Sequence, residues 1–115
     1  MNQPVPTVSR SDVERIVRRE FGEFGASEVL AILDGYQSDG GNPARVQLAA
    51  LKLAAGDMVA LRRAIEAAKL DYRDVLAGAE YPKYSRDIGF GNASESFKQA
   101  LIEDDWKQYE SWFKR

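Results

Sequence analysis

Residues 43–55 restrict the fold more than any other part of the chain. Asn42 and Pro43 are typical of a helix start, because asparagine caps free amide groups and proline fits the first helical position. In the next twelve positions the polar side chains are limited to Arg45, Gln47 and Lys52. A helix that is apolar around most of its circumference is buried on most sides. The sequence therefore predicts a helical bundle with this helix, near 43–55, at its centre.

Caps and glycines divide the chain that precedes the central helix. Ser11-Asp12-Val13-Glu14 has the spacing of a capping box and predicts a helix that begins at its serine and ends at Gly22 and Gly25. A second helix, capped by its first residue, is predicted over 27–36. Residues 1–10 are interrupted by prolines and are expected to form an N-terminal arm.

Three more helices are predicted after the central one. Gly56 is placed as a left-handed cap that separates the central helix from the next. Pro82 prevents one of the later helices from continuing. The three helices are predicted to begin at Asp57, at Asp71 and near Ser94. The expected fold is all-α, a compact single-domain bundle of five or six helices over 11–115.

The chain contains no histidine and no cysteine. This composition excludes Ser-His-Asp and Cys-His nucleophiles, thiol redox centres, disulfides and the usual zinc sites. The acidic, glycine-containing segment from Asp34 to Asn42 resembles a calcium loop, but Tyr36 and Arg45 stand where oxygen ligands are needed. We therefore expect no metal, no cofactor and no enzymatic activity.

The charge balance and the hydropathy of the chain indicate which classes of partner to expect. The chain has 16 basic and 18 acidic residues, so no basic face is expected for a nucleic-acid duplex. A helix-turn-helix DNA reader over 43–80 is kept as a third alternative, although its third helix is mainly acidic. The longest apolar run, 29–33, is far short of the roughly 20 residues of a membrane span. Residues 1–8 lack the features of a secretory signal, so a cytoplasmic location without membrane contact is expected.

The longest segment without helical periodicity runs from Tyr81 to Ala93 and is predicted to be an irregular loop. Long loops in small domains are often functional. Tyrosines, arginines and carboxylates gather in and before this loop, where they form either a binding site or a plug for the core. Glu80 and Asp87 are the only local carboxylate pair that acid–base chemistry could use. The candidate site residues are Tyr72, Arg73, Glu80, Tyr81, Tyr84, Arg86, Asp87 and Phe90.

The last predicted helix carries aromatic residues at helical spacing. A stripe of this kind is usually core, and we expect the helix to lie across the others. If the helix projects instead, its aromatic face is typical of an interface anchor and leads to self-association. The candidate anchors are Trp106 and Tyr109, which share the stripe with Phe113, and Trp112 on its flank.

The densest positive cluster lies in the first predicted helix. Arg15, Arg18 and Arg19 share a face by their i, i+3, i+4 spacing, and Arg10 lies just upstream. Such a face is able to hold a phosphate or an acidic partner. The alternative is a solvated face, because nearby glutamates dilute its charge.

Two functions from different classes follow from these patterns. The first is a small protein-interaction module that contacts another protein, or a second copy, through the 81–93 loop and the C-terminal aromatic helix. The second is a small-molecule or phosphate-binding protein that uses the tyrosine, arginine and carboxylate cluster at 72–87.

Overall fold

The computed structural model describes residues 3–36, 42–87 and 94–115, and their regular structure is entirely helical. Within these ranges the chain forms five helices that pack as an all-α bundle, as predicted. Their bounds are α1 Arg10–Asp34, α2 Pro43–Ala54, α3 Met58–Glu80, α4 Pro82–Asp87 and α5 Glu95–Lys114. No helix in these ranges is long and apolar enough to cross a lipid bilayer.

The N-terminus of α1 is capped by Ser9. Its hydroxyl accepts a hydrogen bond from the amide of Asp12, and the Asp12 carboxylate accepts one from the Ser9 amide. This reciprocal pair is a capping box with aspartate as its second member. The start predicted at Ser11 is therefore wrong by two residues, because the shorter acidic side chain forms the box from Ser9.

Gly22 interrupts α1 with a positive φ of 78° and an extended ψ of 170°. That backbone conformation is almost restricted to glycine, which explains the break predicted there. The helix resumes directly after Gly22 and carries Gly25 and Ser27 in its interior. The prediction of a separate helix capped by Ser27 is wrong, because α1 continues through Ser27 to Asp34.

α2 is the central helix, as predicted. Eight of its twelve residues are buried, including the polar Gln47. The Gln47 amide is satisfied because its Nε2 donates to the carbonyl of Leu33 at 3.0 Å and its Oε1 accepts from Arg10 at 3.1 Å. The Asn42 side chain caps the amide of Ala44, and Pro43 is the first helical residue.

The turn between α2 and α3 contains two residues with positive φ. Ala55 ends α2 in the left-handed conformation at φ 49°, and Gly56 follows at φ 82°. Gly56 was the predicted left-handed residue, but α2 ends one position earlier than that prediction required. Asp57 then caps α3 through the amide of Val59 at 2.9 Å, as predicted.

α3 is kinked at Asp71, where φ is −157° and ψ is 99°. The Asp71 carboxylate accepts a hydrogen bond from the amide of Arg73 at 3.0 Å and so caps the second half of the helix. The predicted start of a helix at this aspartate is confirmed, although no loop separates the two halves.

The loop predicted from Tyr81 to Ala93 is wrong over its first part. Pro82 ends α3, but it also begins α4, because proline is tolerated at the first helical position. The amides of Lys83 and Tyr84 donate to the buried carboxylate of Asp105 on α5, at 3.3 and 2.9 Å. Residues 88–93, including Phe90, lie outside the described residues.

Candidate functional site

The C-terminal aromatic residues pack inside the bundle. Tyr109 is 1% exposed and Trp112 is also buried, with their rings in an edge-to-face contact at 5.6 Å. The indole Nε1 of Trp112 donates to Glu20 at 3.2 Å. Trp106 is half-buried and lines a pocket that also contains Pro4. Two of the three proposed anchors are therefore core residues, and α5 does not project.

Two arginines of the predicted positive cluster hold the end of α5. Arg15 donates to the carbonyls of Phe113 and Arg115, at 2.7 and 3.2 Å. Arg19 donates to the carbonyls of Trp112 and Arg115, at 2.7 and 3.2 Å. The last carbonyls of a helix are unsatisfied and carry its negative dipole, so they attract cations.

The remaining members of that cluster have other neighbours. The guanidinium of Arg18 lies 3.6 Å from the Glu23 carboxylate, and that of Arg10 lies 2.9 Å from Asp34. Burial is the main reason that the pKa of Arg19 lies below its usual range. The cluster does not form one face for a phosphate, because its members bind different groups of this chain.

Glu80 is buried and forms a paired contact with Arg45. The Nε and Nη2 atoms of Arg45 donate to the two carboxylate oxygens of Glu80, at 2.9 and 2.7 Å. This hydrogen bonding raises the pKa of Arg45 above its ordinary value. Arg45 was not among the sequence-derived site residues. Its signal in the sequence was its charge on a helix that is otherwise almost entirely apolar.

Two tyrosines lie next to this ion pair. The hydroxyl of Tyr81 donates to the carbonyl of Pro4 in the arm. Burial raises the pKa of Tyr81 to about 12. Burial and the nearby charge of Glu80 raise the pKa of Tyr109 further. Its hydroxyl has no hydrogen-bond partner among the residues that the structure describes. Glu80, Tyr81 and Tyr109 thus belong to one buried polar cluster around Arg45.

The other predicted site residues are spread along α3 and α4. Tyr72 and Arg73 are exposed at the kink, where the Arg73 side chain contacts Asp71 at 3.0 Å. Tyr84 is half-buried and Arg86 is exposed on α4. Asp87 is the last residue of α4, and its side chain is outside the described part of the structure.

A pocket of about 210 Å³ lies where the N-terminal arm crosses α2 and α3. We call it the arm pocket. It brings together Arg73, Glu80 and Tyr81 from the predicted cluster with Arg45, and its apolar wall includes Val5 and Leu76. Tyr72, Tyr84 and Arg86 do not line it. Each guanidinium in the pocket already contacts a carboxylate, so the pocket has little charge available to an anion.

A larger groove of about 600 Å³ separates the second half of α1 from the first half of α3. We call it the α1–α3 groove. Its apolar floor contains Ile32 and Ile65. Its rims carry Glu28 on α1 and Arg62, Glu66 and Lys69 on α3.

The two helices that form this groove run parallel. Arg62 contacts Glu28 at 3.1 Å, and Lys69 lies beside Gly35 at the other end. Both pairs are 34 positions apart in the sequence, so the two helices advance together. Residues 34 apart therefore lie at the same level along the groove.

Large apolar side chains extend both rims of the groove. Phe24 is fully exposed and lies one helical turn before Glu28 on the same face of α1. Leu70 is 90% exposed and lies one turn after Glu66 on α3, and exposed Val59 precedes Arg62 by three residues. Sequence reasoning missed this surface. Phe24 lies three residues after Phe21 and continues the apolar spacing of the first predicted helix, so no local signal marked it as exposed. The kink at Gly22 breaks that register.

The described residues contain no group of three acidic side chains placed to hold a metal ion. The calcium-like segment lies largely in 37–41, outside the described residues. The arm pocket and the α1–α3 groove are the two candidate sites. No protein-family model, curated protein or solved structure matches this chain.

Proposed function

We propose that this chain is a small, non-enzymatic protein-interaction module. The contact surface in this proposal is the α1–α3 groove with Phe24, Val59 and Leu70 at its rims. It replaces the aromatic face of α5, because Tyr109 and Trp112 are buried in the bundle. Residues 81–87 supply Arg86 on the exposed side of α4 as a further contact candidate.

The observation that carries the proposal is the exposure of Phe24. A phenylalanine side chain in full contact with water loses the stabilisation of about 1.5–3 kcal/mol that its burial gives. Single exposed apolar residues are common, but here Leu70 and Val59 extend the same groove. An apolar groove bordered by charged residues is typical of a protein-contact site.

A capture experiment with the immobilised full chain tests the proposal. The wild-type chain is expected to retain a protein, either a different chain or an untagged copy, at fixed stoichiometry. The double variant Phe24→Ser, Leu70→Ser is expected to lose it, because the apolar anchors of the contact are gone. Thermal unfolding checks that the variant is folded, and its melting temperature is expected to stay at the wild-type value, since both side chains are exposed.

Phe97→Ser is the matched control. Phe97 is an exposed phenylalanine in the first turn of α5, outside the groove. This variant is expected to retain the partner as the wild type does. Equal retention by the double variant and the wild type would show that the α1–α3 groove is not the contact surface.

A small-molecule site in the arm pocket is the second candidate. The observation in its favour is that the pocket brings Arg73, Glu80 and Tyr81 together with Arg45. Titration with inorganic phosphate and with phenol, a neutral aromatic molecule, followed by amide resonances of Leu76 and Ala77, tests this candidate. Saturable shifts that disappear in Arg73→Ala would support it, and their absence with both probes would remove it.

A further inference from the structure

We propose that the occupant of the α1–α3 groove is a second copy of this chain. The two copies meet groove to groove, related by a two-fold axis that runs along the groove. This inference rests on the proposed function, since it names the protein that the groove binds. In this arrangement α1 of each copy lies over α3 of the other, and all four helices run parallel.

The charges on the two rims are complementary under this rotation. Glu28 and Arg62 lie at the same level on opposite rims, 3.1 Å apart within one copy. A half-turn about the groove axis exchanges the rims, so Glu28 of each copy faces Arg62 of the other. The dimer therefore replaces two exposed ion pairs by one network of four alternating charges, which favours this register.

The apolar rim residues are complementary in the same way. The parallel alignment of the helices places Phe24 opposite Met58, one residue before Val59. The carbonyl of Glu20 lies beside Gly56, which confirms that this end of α1 meets the start of α3. The same rotation that pairs the charges lays Phe24 of each copy against Val59 of the other. Both side chains are exposed in the single copy and are covered in the dimer.

The antiparallel alternative brings like charges together. A two-fold axis across the middle of the groove, where the two grooves overlap fully, places Arg62 of one copy opposite Lys69 of the other, because these residues lie toward opposite ends of α3's rim. Two such contacts occur in each dimer, and both are repulsive. The charge pattern therefore favours the parallel arrangement.

Sedimentation of the full chain over a concentration series tests the inference. The wild type is expected to shift from the monomer mass of 12.9 kDa toward twice that value. Glu28→Arg makes both rims positive, and Arg62→Glu makes both rims negative. Each variant alone is expected to dimerise at least about tenfold more weakly, since like charges then face each other across the interface.

An equimolar mixture of Glu28→Arg and Arg62→Glu gives the decisive readout. The positive rims of one variant match the negative rims of the other, so the mixture is expected to form a heterodimer. A purely intramolecular role for the Glu28–Arg62 pair does not produce this rescue. Glu95→Arg and Lys98→Glu alter the ion pair between exposed Glu95 and half-buried Lys98 on α5. They are the matched controls and are expected to dimerise as the wild type does, alone and mixed.

Three results would overturn the inference. The first is a wild-type chain that stays at the monomer mass up to its solubility limit. The second is a mixture that associates no better than its components, with both variants folded by circular dichroism. The third is stronger dimerisation of Arg62→Glu alone, which indicates the antiparallel arrangement. A monomeric chain whose capture of a different protein is lost in Phe24→Ser, Leu70→Ser would leave the proposed function standing while removing the dimer.

Discussion

At the scale of single residues, Glu80 is a buried carboxylate with one charged partner among the described residues. It is 2% exposed, and both of its oxygens accept hydrogen bonds from Arg45. A buried charge of this kind persists only when its partner and geometry are retained. Tyr81 and Tyr109, which flank the pair, are kept in their neutral form by the same burial.

Removing the carboxylate at position 80 is expected to destabilise the protein. Glu80→Ala leaves the guanidinium of Arg45 partly buried without its counter-charge, at a cost of about 2–4 kcal/mol. Urea unfolding measures this loss. Glu66→Ala removes the exposed partner of Lys69 and is expected to cost about 0–1 kcal/mol. Equal losses for the two variants would contradict a structural role for the buried pair.

The two buried tyrosines, Tyr81 and Tyr109, are expected to make the free energy of unfolding depend on pH in the alkaline range. Both have a pKa in the folded state above the value of 10.0 for a free tyrosine, so folding disfavours their ionisation. Their contribution is fully present below about pH 10, and it declines as the pH rises toward 12, the pKa of Tyr81. Unfolding free energies measured between pH 8 and pH 12 are expected to fall only above about pH 10. Tyr81→Phe is expected to flatten that fall, and an unchanged slope would contradict this assignment.

At the scale of elements, α1 and α3 each contain one break in helical geometry. Gly22 breaks α1 through a backbone conformation that other residues rarely adopt. Asp71 breaks α3 through a side chain that caps the next amides. The two kinks lie at the borders of the segments that form the α1–α3 groove.

Two glycines in α1 are expected to respond to alanine with opposite signs. Gly22→Ala forces a side chain into a positive-φ conformation and is expected to cost about 1–3 kcal/mol. Gly25 is helical, and an added Cβ meets only Phe21 at an ordinary 3.8 Å. Gly25→Ala is therefore expected to stabilise the protein by about 0.4–1 kcal/mol. Thermal unfolding measures both variants. A change of melting temperature in the same direction for both would contradict a kink that requires glycine at position 22.

α4 is expected to depend on Asp105. Its carboxylate is buried and accepts from two amides in the first turn of α4, so Asp105→Ala leaves both without partners. We expect a loss of about 1–3 kcal/mol and faster hydrogen exchange at Lys83 and Tyr84. Asp104→Ala changes the adjacent exposed aspartate and is expected to leave exchange unaltered. Slow exchange in Asp105→Ala would show that α4 is capped by another group.

At the scale of the whole molecule, α5 is fixed to α1 by contacts between residues about 90–100 positions apart. Arg15 and Arg19 donate to its last carbonyls, and their guanidinium groups lie over the rings of Phe113 and Trp112. Trp112 also donates to Glu20. These contacts close the bundle around α2.

Loss of the contacts that Arg15 and Arg19 make with the end of α5 is expected to loosen that helix. Arg15→Ala, Arg19→Ala removes four hydrogen bonds to carbonyls and two cation–π contacts, with an expected cost of about 2–3 kcal/mol. Arg18→Ala, in the same positive cluster, is expected to change stability by less than about 0.5 kcal/mol, because Arg18 is exposed. Denaturant unfolding compares the two. A larger loss of unfolding free energy in Arg18→Ala than in the double variant would show that Arg15 and Arg19 do not hold α5.

Local patterns in the sequence determined the elements of this protein. The apolar circumference of 43–54, the caps at Asn42, Asp57 and Ser94 and the breaks at Gly22 and Asp71 follow from residue chemistry within a few positions. The all-α class follows from the same patterns. Predictions failed where two nearby residues could serve the same role. Both Ser9 and Ser11 have an acidic residue three positions later, and Ser9 is the one that caps α1.

Only the tertiary structure decided which polar and aromatic residues meet. Arg45 finds Glu80 35 positions away, Asp105 caps a helix that begins more than 20 positions earlier, and Trp112 is buried against α1. The α1–α3 groove likewise exists because two helices pack in parallel at a fixed register. Periodicity and capping act within a few residues, whereas burial and charge pairing depend on how the helices pack, which no local pattern specifies.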